Sequence, residues 1–520
     1  MPLFSRAVSV SISMCLCAAL AACGGDEGGD PGGGQGTEEG GAGGSGGRAT
    51  PPSGPQAVAV HLVPRDGVSG PQRVNFAVPL APGALSEAGD ARVLQGGEEL
   101  PSARRGLARY ADGSLRSLQV QVDVDVAGEA DLEVRLGEAA GAGDLALAPV
   151  EETLDPPDGT GGPRVWALLP AGWLSASGVV GPSVPEADVE GTPLAAWGDQ
   201  CDYEGNDVEA FLGQSGDGAV WLYDRGTVMY RGHARRGDLG TLESAYRETA
   251  IYRAAMTGAG DAVDNGVPGK AGDLKYDYTQ NMAIHYLLSG DDRFRESAEQ
   301  MAVSMGQLWT PEYGGDGGSW TERHAGFLLL AHVWAARVSD DRADELAALA
   351  DKDVAAYLDI QAGYPPGYDS ASARCFAHTA EAHSEDFGTW GCSPWMSAIL
   401  ADGLDAYATD RGDAEASAVR EAIVKLGRVI AERGRDADGR PYYWMTLGEG
   451  AGEVDDFEEH WGESAYIVAM AWAHAGKRDA ALLQAANELL NGFATRGVVP
   501  HMRSFNWQCR SAVAAPYYLR

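Results

Sequence analysis

The stretch Ser319-Trp320-Thr321-Glu322-Arg323-His324, followed by Phe327-Leu328-Leu329-Leu330 and closing at Val338-Ser339-Asp340-Asp341, decides how the second half of the chain is read. A serine three residues before a glutamate is the capping-box signature of a helix start. The apolar run behind it fits a helix buried on most sides, and a polar turn ends it. The same order of features recurs along the chain. Other aromatic openings are Trp221-Leu222-Tyr223-Asp224-Arg225, Tyr276-Asp277-Tyr278, Ser393-Pro394-Trp395, Glu459-His460-Trp461 and Arg503-Ser504-Phe505-Asn506-Trp507. Other polar turns are Arg236-Gly237-Asp238, Ser289-Gly290-Asp291-Asp292, Thr409-Asp410-Arg411-Gly412-Asp413 and Ala475-Gly476-Lys477, each leading into a more alanine-rich helix. Pro394 stands at a first helical position, where its missing N–H costs nothing. A helix pair repeated at irregular spacing predicts an α/α toroid, with six inner and five outer helices on this count. The segment around Cys201 is expected to supply the missing layer. In such a ring the inner-helix starts gather at one end and share one cleft.

Outward from this repeat, residues 57–140 change period. Val58-Ala59-Val60-His61-Leu62-Val63, Val74-Asn75-Phe76-Ala77-Val78 and Leu118 to Val126 alternate apolar and polar residues between Pro, Gly and Asp-Gly turns. That is the pattern of strands with one buried face. The expected fold is therefore a small N-terminal antiparallel β-barrel or sandwich followed by an incomplete (α/α)6 toroid. The boundaries read 57–145 for the β-domain, 146–218 for a Pro- and Gly-rich connection and 219–520 for the helical domain.

The first residues read as a targeting segment. Arg6 precedes an apolar run from Ala7 to Leu20 that is too short to span a bilayer. Leu20-Ala21-Ala22-Cys23 resembles a bacterial lipobox, which predicts a signal peptide over 1–22 and lipidation of Cys23. Residues 24–56 are Gly-rich with acidic residues, a flexible tether. The chain is expected outside the cytoplasm, held to a membrane by its lipid only; Gly24 after Cys23 favours the outer membrane. A formal net charge of −36 over 520 residues excludes nucleic acid as a natural partner. Beyond the leader and the anchor, four cysteines remain, and an even count in an oxidising compartment predicts two disulfides. The favoured pairing is Cys375–Cys392, which staples a local loop, with Cys201–Cys509, which ties the start of the helical domain to its last helix. No cysteine or histidine spacing suggests a metal, and no cofactor is expected; the sequence leaves the oligomeric state open.

Part of the β-domain also resembles a known module. Pro79-Leu80-Ala81-Pro82-Gly83-Ala84-Leu85, Glu99-Leu100-Pro101-Ser102 and Ala108-Arg109-Tyr110-Ala111-Asp112-Gly113-Ser114-Leu115-Arg116-Ser117-Leu118 look like the N-terminal RIFT-type barrel of the exo-rhamnogalacturonan-lyase-like (YetA-like) proteins. Tyr110 and Ala111 stand where that family has Trp and Pro, and Ser117 where it has a second Trp. The helix repeat is similar to the (α/α)6 toroids of polysaccharide lyases and several glycoside hydrolase families. Both resemblances imply a carbohydrate-active context.

The helix starts carry the candidate chemistry. Each presents unpaired N–H groups and a partial positive charge, so several converging starts favour an anion. Arg225, Lys275, Arg323 and Arg503 sit at four of them, and Arg374 precedes a fifth. Trp221, Trp320, Trp390, Trp395, Trp461 and Trp507, with Tyr278, are candidates to stack on sugar rings. The rival reading makes them hydrophobic plugs. A uronate polymer suits a cationic cleft, and its cleavage by β-elimination needs a neutraliser for the C5 carboxylate, a base and an acid. Arg323 with Asn281 is the candidate neutraliser; Tyr278, His324 and His378 are the candidates for base and acid. His383, in the same loop as His378 with Glu385 and Asp386, joins the candidate set, and Glu322, His460 and Arg503 complete the candidate substrate contacts. Asn281 and His285 lie four apart on one helix face. His233, His332 and His474 fall late in inner helices and are expected to be structural. The alternative is a glycoside hydrolase using two carboxylates roughly 6.5–9.5 Å apart if inverting, closer if retaining, drawn from Asp277, Glu322, Glu385, Asp386, Glu459 and Glu463. A third reading is a non-catalytic glycan-binding lipoprotein.

Overall fold

The structure, a computed structural model, describes residues 56–310, 321–379, 390–447, 452–454 and 459–520. Cys23 with the leader and tether, and Trp320, His383, Glu385 and Asp386, lie outside the described residues. The alternating N-terminal segments form β1 (Gln56–Pro64), β2 (Gly70–Pro79), β3 (Ala91–Gln95), β4 (Glu98–Leu100), β5 (Ser102–Arg109), β6 (Leu115–Val126) and β7 (Ala130–Leu136). β8 (Val165–Leu168) joins them from the segment 146–218, which is thus more than a connection. Two antiparallel sheets result, ordered β4-β3-β7-β1-β8 and β2-β6-β5. Their inner faces bury Val58, Val60, Val74, Phe76, Leu118, Val120, Val122, Leu132 and Val134.

β6 shows why the outer face of one sheet is not exposed. Its apolar residues point inward as the alternation requires, yet Ser117, Gln119 and Gln121 on the other side are also buried. They meet the helical region, whose helices are α1 (Ala171–Ser177), α2 (Val208–Leu212), α3 (Arg225–Arg236), α4 (Leu239–Ala255), α5 (Gln280–Ser289), α6 (Asp292–Leu308), α7 (Glu322–Val338), α8 (Ala343–Gly363), α9 (Pro394–Thr409), α10 (Asp413–Arg433), α11 (Trp461–His474), α12 (Ala480–Arg496), α13 (Met502–Ala512) and α14 (Ala515–Leu519). The last turn of a helix leaves carbonyls without intrahelical donors. Here the sheet supplies donors: Ser117 Oγ to Leu287 O at 2.6 Å, Asn75 Nδ2 to Ser289 O at 2.8 Å and Arg105 Nη2 to Gly290 O at 2.6 Å. Asn75 in turn accepts from Gln119 and Gln121. Arg116 of β6 and Arg337 of α7 share Asp410, just past the end of α9. The sheets therefore grip the C-terminal ends of α5, α7 and α9 and leave their N-terminal ends to other groups.

α3 packs on α5, α5 on α7, α7 on α9, α9 on α11, α11 on α13, and α13 returns to α3. α4, α6, α8 and α12 back α3, α5, α7 and α11, while α10 lies against both α9 and α11. Between α12 and α4 the backing comes from the segment before α3: residues Ala196–Gln200 pack on α12, α2 on α4 and α1 on α3. Arg231 of α3, Asp402 of α9, Tyr466 of α11 and Arg510 of α13 interlock inside the circuit. Arg231 Nη2 reaches both Asp402 oxygens at 2.9 and 2.8 Å, Arg510 Nη1 lies 2.7 Å from the second and Tyr466 donates to the first. Shared hydrogen bonds are what make so dry an ionic group tolerable.

Cys201 is bonded to Cys509 and Cys375 to Cys392, the pairing favoured from sequence. β9 (Gly391–Cys392) and β10 (Met445–Thr446) form a two-residue ladder beside the second bond. Among the described residues no helix is long and apolar enough to cross a membrane.

Candidate functional site

The starts of α3, α7, α9 and α11 and the first half of α13 bring five side chains together, Tyr223, Arg323, Trp395, His460 and Trp507, and Tyr443 joins them from the segment after α10. The Tyr223 ring lies 5.5 Å from Trp507 and 5.9 Å from Trp395. Trp395 stacks on His460 at 4.8 Å and on Tyr443 at 5.4 Å, and His460 lies 5.1 Å from Trp507. The Arg323 guanidinium sits over the Trp395 ring at 5.2 Å. This is the geometry of a cation–π contact.

Tyr223 reaches the cluster through an unusual turn. It and Asp224 both have left-handed backbone, φ 76° and 54°, a conformation that costs a non-glycine residue energy and is often held where function needs it. Two devices hold it. Asp224 caps α3, accepting from the Thr227 hydroxyl at 2.6 Å, and the Tyr278 hydroxyl accepts the Tyr223 N–H at 3.1 Å. Burial pushes the Tyr223 hydroxyl far above the usual phenol range, and the nearby Arg323 opposes that shift.

The cluster is nearly closed to solvent, with Trp395, His460 and Trp507 at 2–4 % exposure and Arg323 and Tyr443 partly exposed. Its buried polar atoms are not used up. Tyr223 Oη, Arg323 Nε, His460 Nε2, Glu463 Oε2 and Trp507 Nε1 have no hydrogen-bond partner among the described residues. His460 Nδ1 is held by Glu463 Oε1 at 3.2 Å, which leaves Nε2 as the ring nitrogen still to be used. Unpaired buried polar atoms are costly one by one. Several in one place mark a site built for something other than packing.

The remaining candidates divide by what they touch. His378 is engaged at both ring nitrogens, Nε2 with Glu322 Oε2 at 2.7 Å and Nδ1 with Thr379 O at 3.0 Å. Glu322 also accepts the Ser393 N–H at 2.8 Å, so this buried pair locks the starts of α7 and α9 together. The Tyr278 hydroxyl lies 3.0 Å from both Trp221 O and Lys275 O, and burial holds it well above its normal range. Arg225 is buried in an ion pair with Glu248 at 2.7 Å; burial outweighs the arginine and pushes the Glu248 carboxyl up to about 7. Arg374 spends its guanidinium on the carbonyls of Gln361, Tyr364, Tyr368 and Ser370. Trp221 donates to Ser215 O and packs on Phe211; Trp461 donates to Glu459, with Arg496 over its ring. These hold the fold around the site.

His324 Nδ1 bonds Thr321 Oγ1 at 2.6 Å, Trp390 stacks on Tyr364, and Arg503 sits over Trp507. Asn281 is buried beside Gly226 of α3, where a Cβ would come within 2.9 Å of it, and its Oδ1 has no partner. Lys275 pairs with Asp273 at 2.6 Å. His285 is enclosed by Tyr230, Tyr246 and Phe294, and His332 and His474 are paired with Asp353 and Asp405. Asp277, bonded to Asn265 at 2.8 Å, is pushed up to about 7 by burial. Among the described residues no group of His, Cys, Asp and Glu is placed to hold a metal ion.

Two participants escape the sequence reading, and Glu463, one turn inside α11, is named there only as a hydrolase carboxylate. Tyr443 follows α10 rather than opening a helix. Tyr223 stands in a quoted opening, but only its left-handed turn singles it out. Two cavities lie elsewhere, against the sheets: one lined by Arg105, Gln119, Glu151 and Arg293, the other by Arg109, Leu115, Ser339 and Asp340. The first is walled by Arg105, already bonded to Asp292 and Gly290, so the helix-start cluster with its unused polar atoms is the better candidate. The chain matches no protein-family model and no curated protein.

Proposed function

We propose that the chain is an extracellular enzyme that cleaves a uronic-acid-containing polysaccharide by β-elimination at the Tyr223–Arg323–His460 cluster. The observation that carries this reading is Arg323. It is a partly exposed guanidinium that no carboxylate pairs with among the described residues, in a chain of formal net charge −36, and it lies over Trp395, the ring on which the carboxylate-held His460 stacks. A uronate carboxylate would complete its pairing and lose the negative charge that keeps the C5 proton from leaving. In this scheme His460 Nε2 takes the C5 proton, the C5–H electrons form the C4=C5 bond, and the C4–O bond breaks. The Tyr223 hydroxyl, kept protonated by burial, hands its proton to the departing oxygen. The base role thus moves to His460 from Tyr278 and His378, whose polar atoms are engaged. Trp395 and Trp507 wall the sugar site.

The six-helix circuit supports an α/α toroid, and the paired sheets are compatible with the RIFT-type resemblance. Disulfides point away from the cytoplasm, and the lipobox-like run supports attachment through Cys23 to the outer membrane. Asp277 favours a second reading: a carboxyl titrating at about 7 is suited to act as the general acid of a hydrolase. One assay separates the readings. The mature chain is incubated with uronate and neutral glycans while new reducing ends and the ultraviolet absorbance of an unsaturated uronate are followed together. Elimination gives both signals, and hydrolysis gives reducing ends alone. Binding with neither would leave a glycan receptor.

A further inference from the structure

Beside the cluster, the loop between α4 and α5 carries a second set of cations. The chain has five lysines, and two of them, Lys270 and Lys275, shortly precede Tyr276. Their Nζ atoms lie 5.1 and 5.8 Å from the centre of its ring. The turn Leu274–Tyr276 packs on α7, and Arg323 stands in the first turn of that helix. The loop is built to hold this arrangement. Buried Asn265 donates to Lys270 O and to Asp277, and accepts the Val267 N–H. The Asp264 carboxylate receives the Gly272 N–H, and Gly269 and Gly272 take left-handed turns at φ 69°. The Lys270 stem packs on Gly218, where a Cβ would fall 2.9 Å from Lys270 Cε and 2.5 Å from Pro268 O. Four acids share the loop, but each is engaged: Asp261 with Arg342, Asp264 with its backbone, Asp273 with Lys275 and Asp277 with Asn265. Lys270 has no carboxylate partner among the described residues; its ammonium rests on Tyr276.

We infer that Lys270, Lys275 and Tyr276 form a second anion subsite, next to Arg323, that receives the acidic group of a neighbouring sugar. The preferred substrate is then a polymer charged on consecutive units rather than one alternating charged and neutral sugars. Two lysines are suited to this task as flexible point charges, where an arginine would favour one bidentate geometry. This inference rests on the proposed polysaccharide-cleaving site and deepens it.

The test follows the tryptophan fluorescence of the mature chain and of a Lys270→Gln/Lys275→Gln variant during titration with polygalacturonate, unsulfated chondroitin and dextran at several salt concentrations. Cleavage is assayed in parallel. The expected result is about tenfold or more weaker binding of polygalacturonate by the variant, the size of losing at least one charge-assisted hydrogen bond, with a shallower salt dependence. Chondroitin should be held equally by both chains and dextran by neither. Equal loss on both charged polymers, or no loss on polygalacturonate, overturns the second subsite. If the unaltered chain still cleaves a uronate glycan in either case, the lyase reading stands without it. Failure of both chains to bind either charged polymer removes the two together.

Discussion

The two ends of the inner helices are made from similar residues and put to opposite uses. At the C-terminal end of α5, the buried side chains of Ser117 and Asn75 and the partly buried Arg105, from β6, β2 and β5, are consumed by the carbonyls of Leu287, Ser289 and Gly290. At the N-terminal ends, Tyr223 Oη, His460 Nε2, Glu463 Oε2 and Trp507 Nε1 are as deeply buried but unpaired among the described residues. A fold selected for stability alone would be expected to close both ends in the first way, because an unmet buried donor costs about 1–3 kcal/mol. The difference teaches where the fold is made firm and where it is kept ready for a ligand.

Altering the two ends should therefore have different consequences, and the largest contrast is expected at Arg323. Arg323→Ala should lower kcat/KM on the cleaved glycan by about 100-fold or more, the range for losing a key charge-stabilising donor, while the melting temperature changes little. A large drop in stability with unchanged turnover per folded molecule would reassign Arg323 to the scaffold. Next in size is removal of the Cys201–Cys509 bond, which closes a sequence separation of 308 residues. The Cys201→Ser/Cys509→Ser variant should lose on the order of 2–5 kcal/mol in denaturant unfolding.

Asp277 gives a pH-dependent contrast. Its folded carboxyl titrates at about 7, against an unfolded value near 4. Between these values the folded state holds more protons, so this group makes stability fall as pH rises from about 4 to about 7, after which the loss is complete. Asp277→Asn keeps an oxygen for Asn265 and should flatten the stability profile over that window, with a gain on the order of 1–4 kcal/mol at pH 8. Identical profiles for the two proteins would show that the burial penalty is not expressed. The smallest effect belongs to the sheet-bound ends. Ser117→Ala leaves the Leu287 carbonyl without its donor and should cost about 1–3 kcal/mol, with kcat and KM unchanged. A loss of activity beyond the loss of folded protein would join the two ends functionally.

The same division explains how much of the molecule was legible in the sequence. Strand and helix could be told apart because period two at Leu118–Val126 and the apolar run at Phe327–Leu330 are each forced by a buried face. Cys201–Cys509 could be favoured because a closed arrangement brings its first and last elements together. The alternation of β6 hid the burial of Ser117, Gln119 and Gln121. Polar residues are buried there because helix ends need donors, and no local pattern announces a partner 170 residues away. At the site, Arg323, Trp395, His460 and Trp507 were visible as helix-start residues that the fold gathers. Trp221, Arg225 and Trp461 share that signature but turn toward Phe211, Glu248 and Arg496. Spacing places a residue at a helix start and does not say which way its side chain faces. Tyr223 depended on a left-handed turn that a Tyr-Asp pair does not advertise, and Tyr443 on a return of the chain after α10.

The most direct measurement is a side-by-side assay of the mature chain and its His460→Ala variant on a panel of uronate glycans, reading unsaturated product and reducing ends together, with circular dichroism to confirm folding. The unaltered chain is expected to yield the two signals in equal amounts, and the variant, folded and still able to bind, to yield neither at a comparable rate. Reducing ends without unsaturated product, or a variant as fast as the parent, would contradict this expectation.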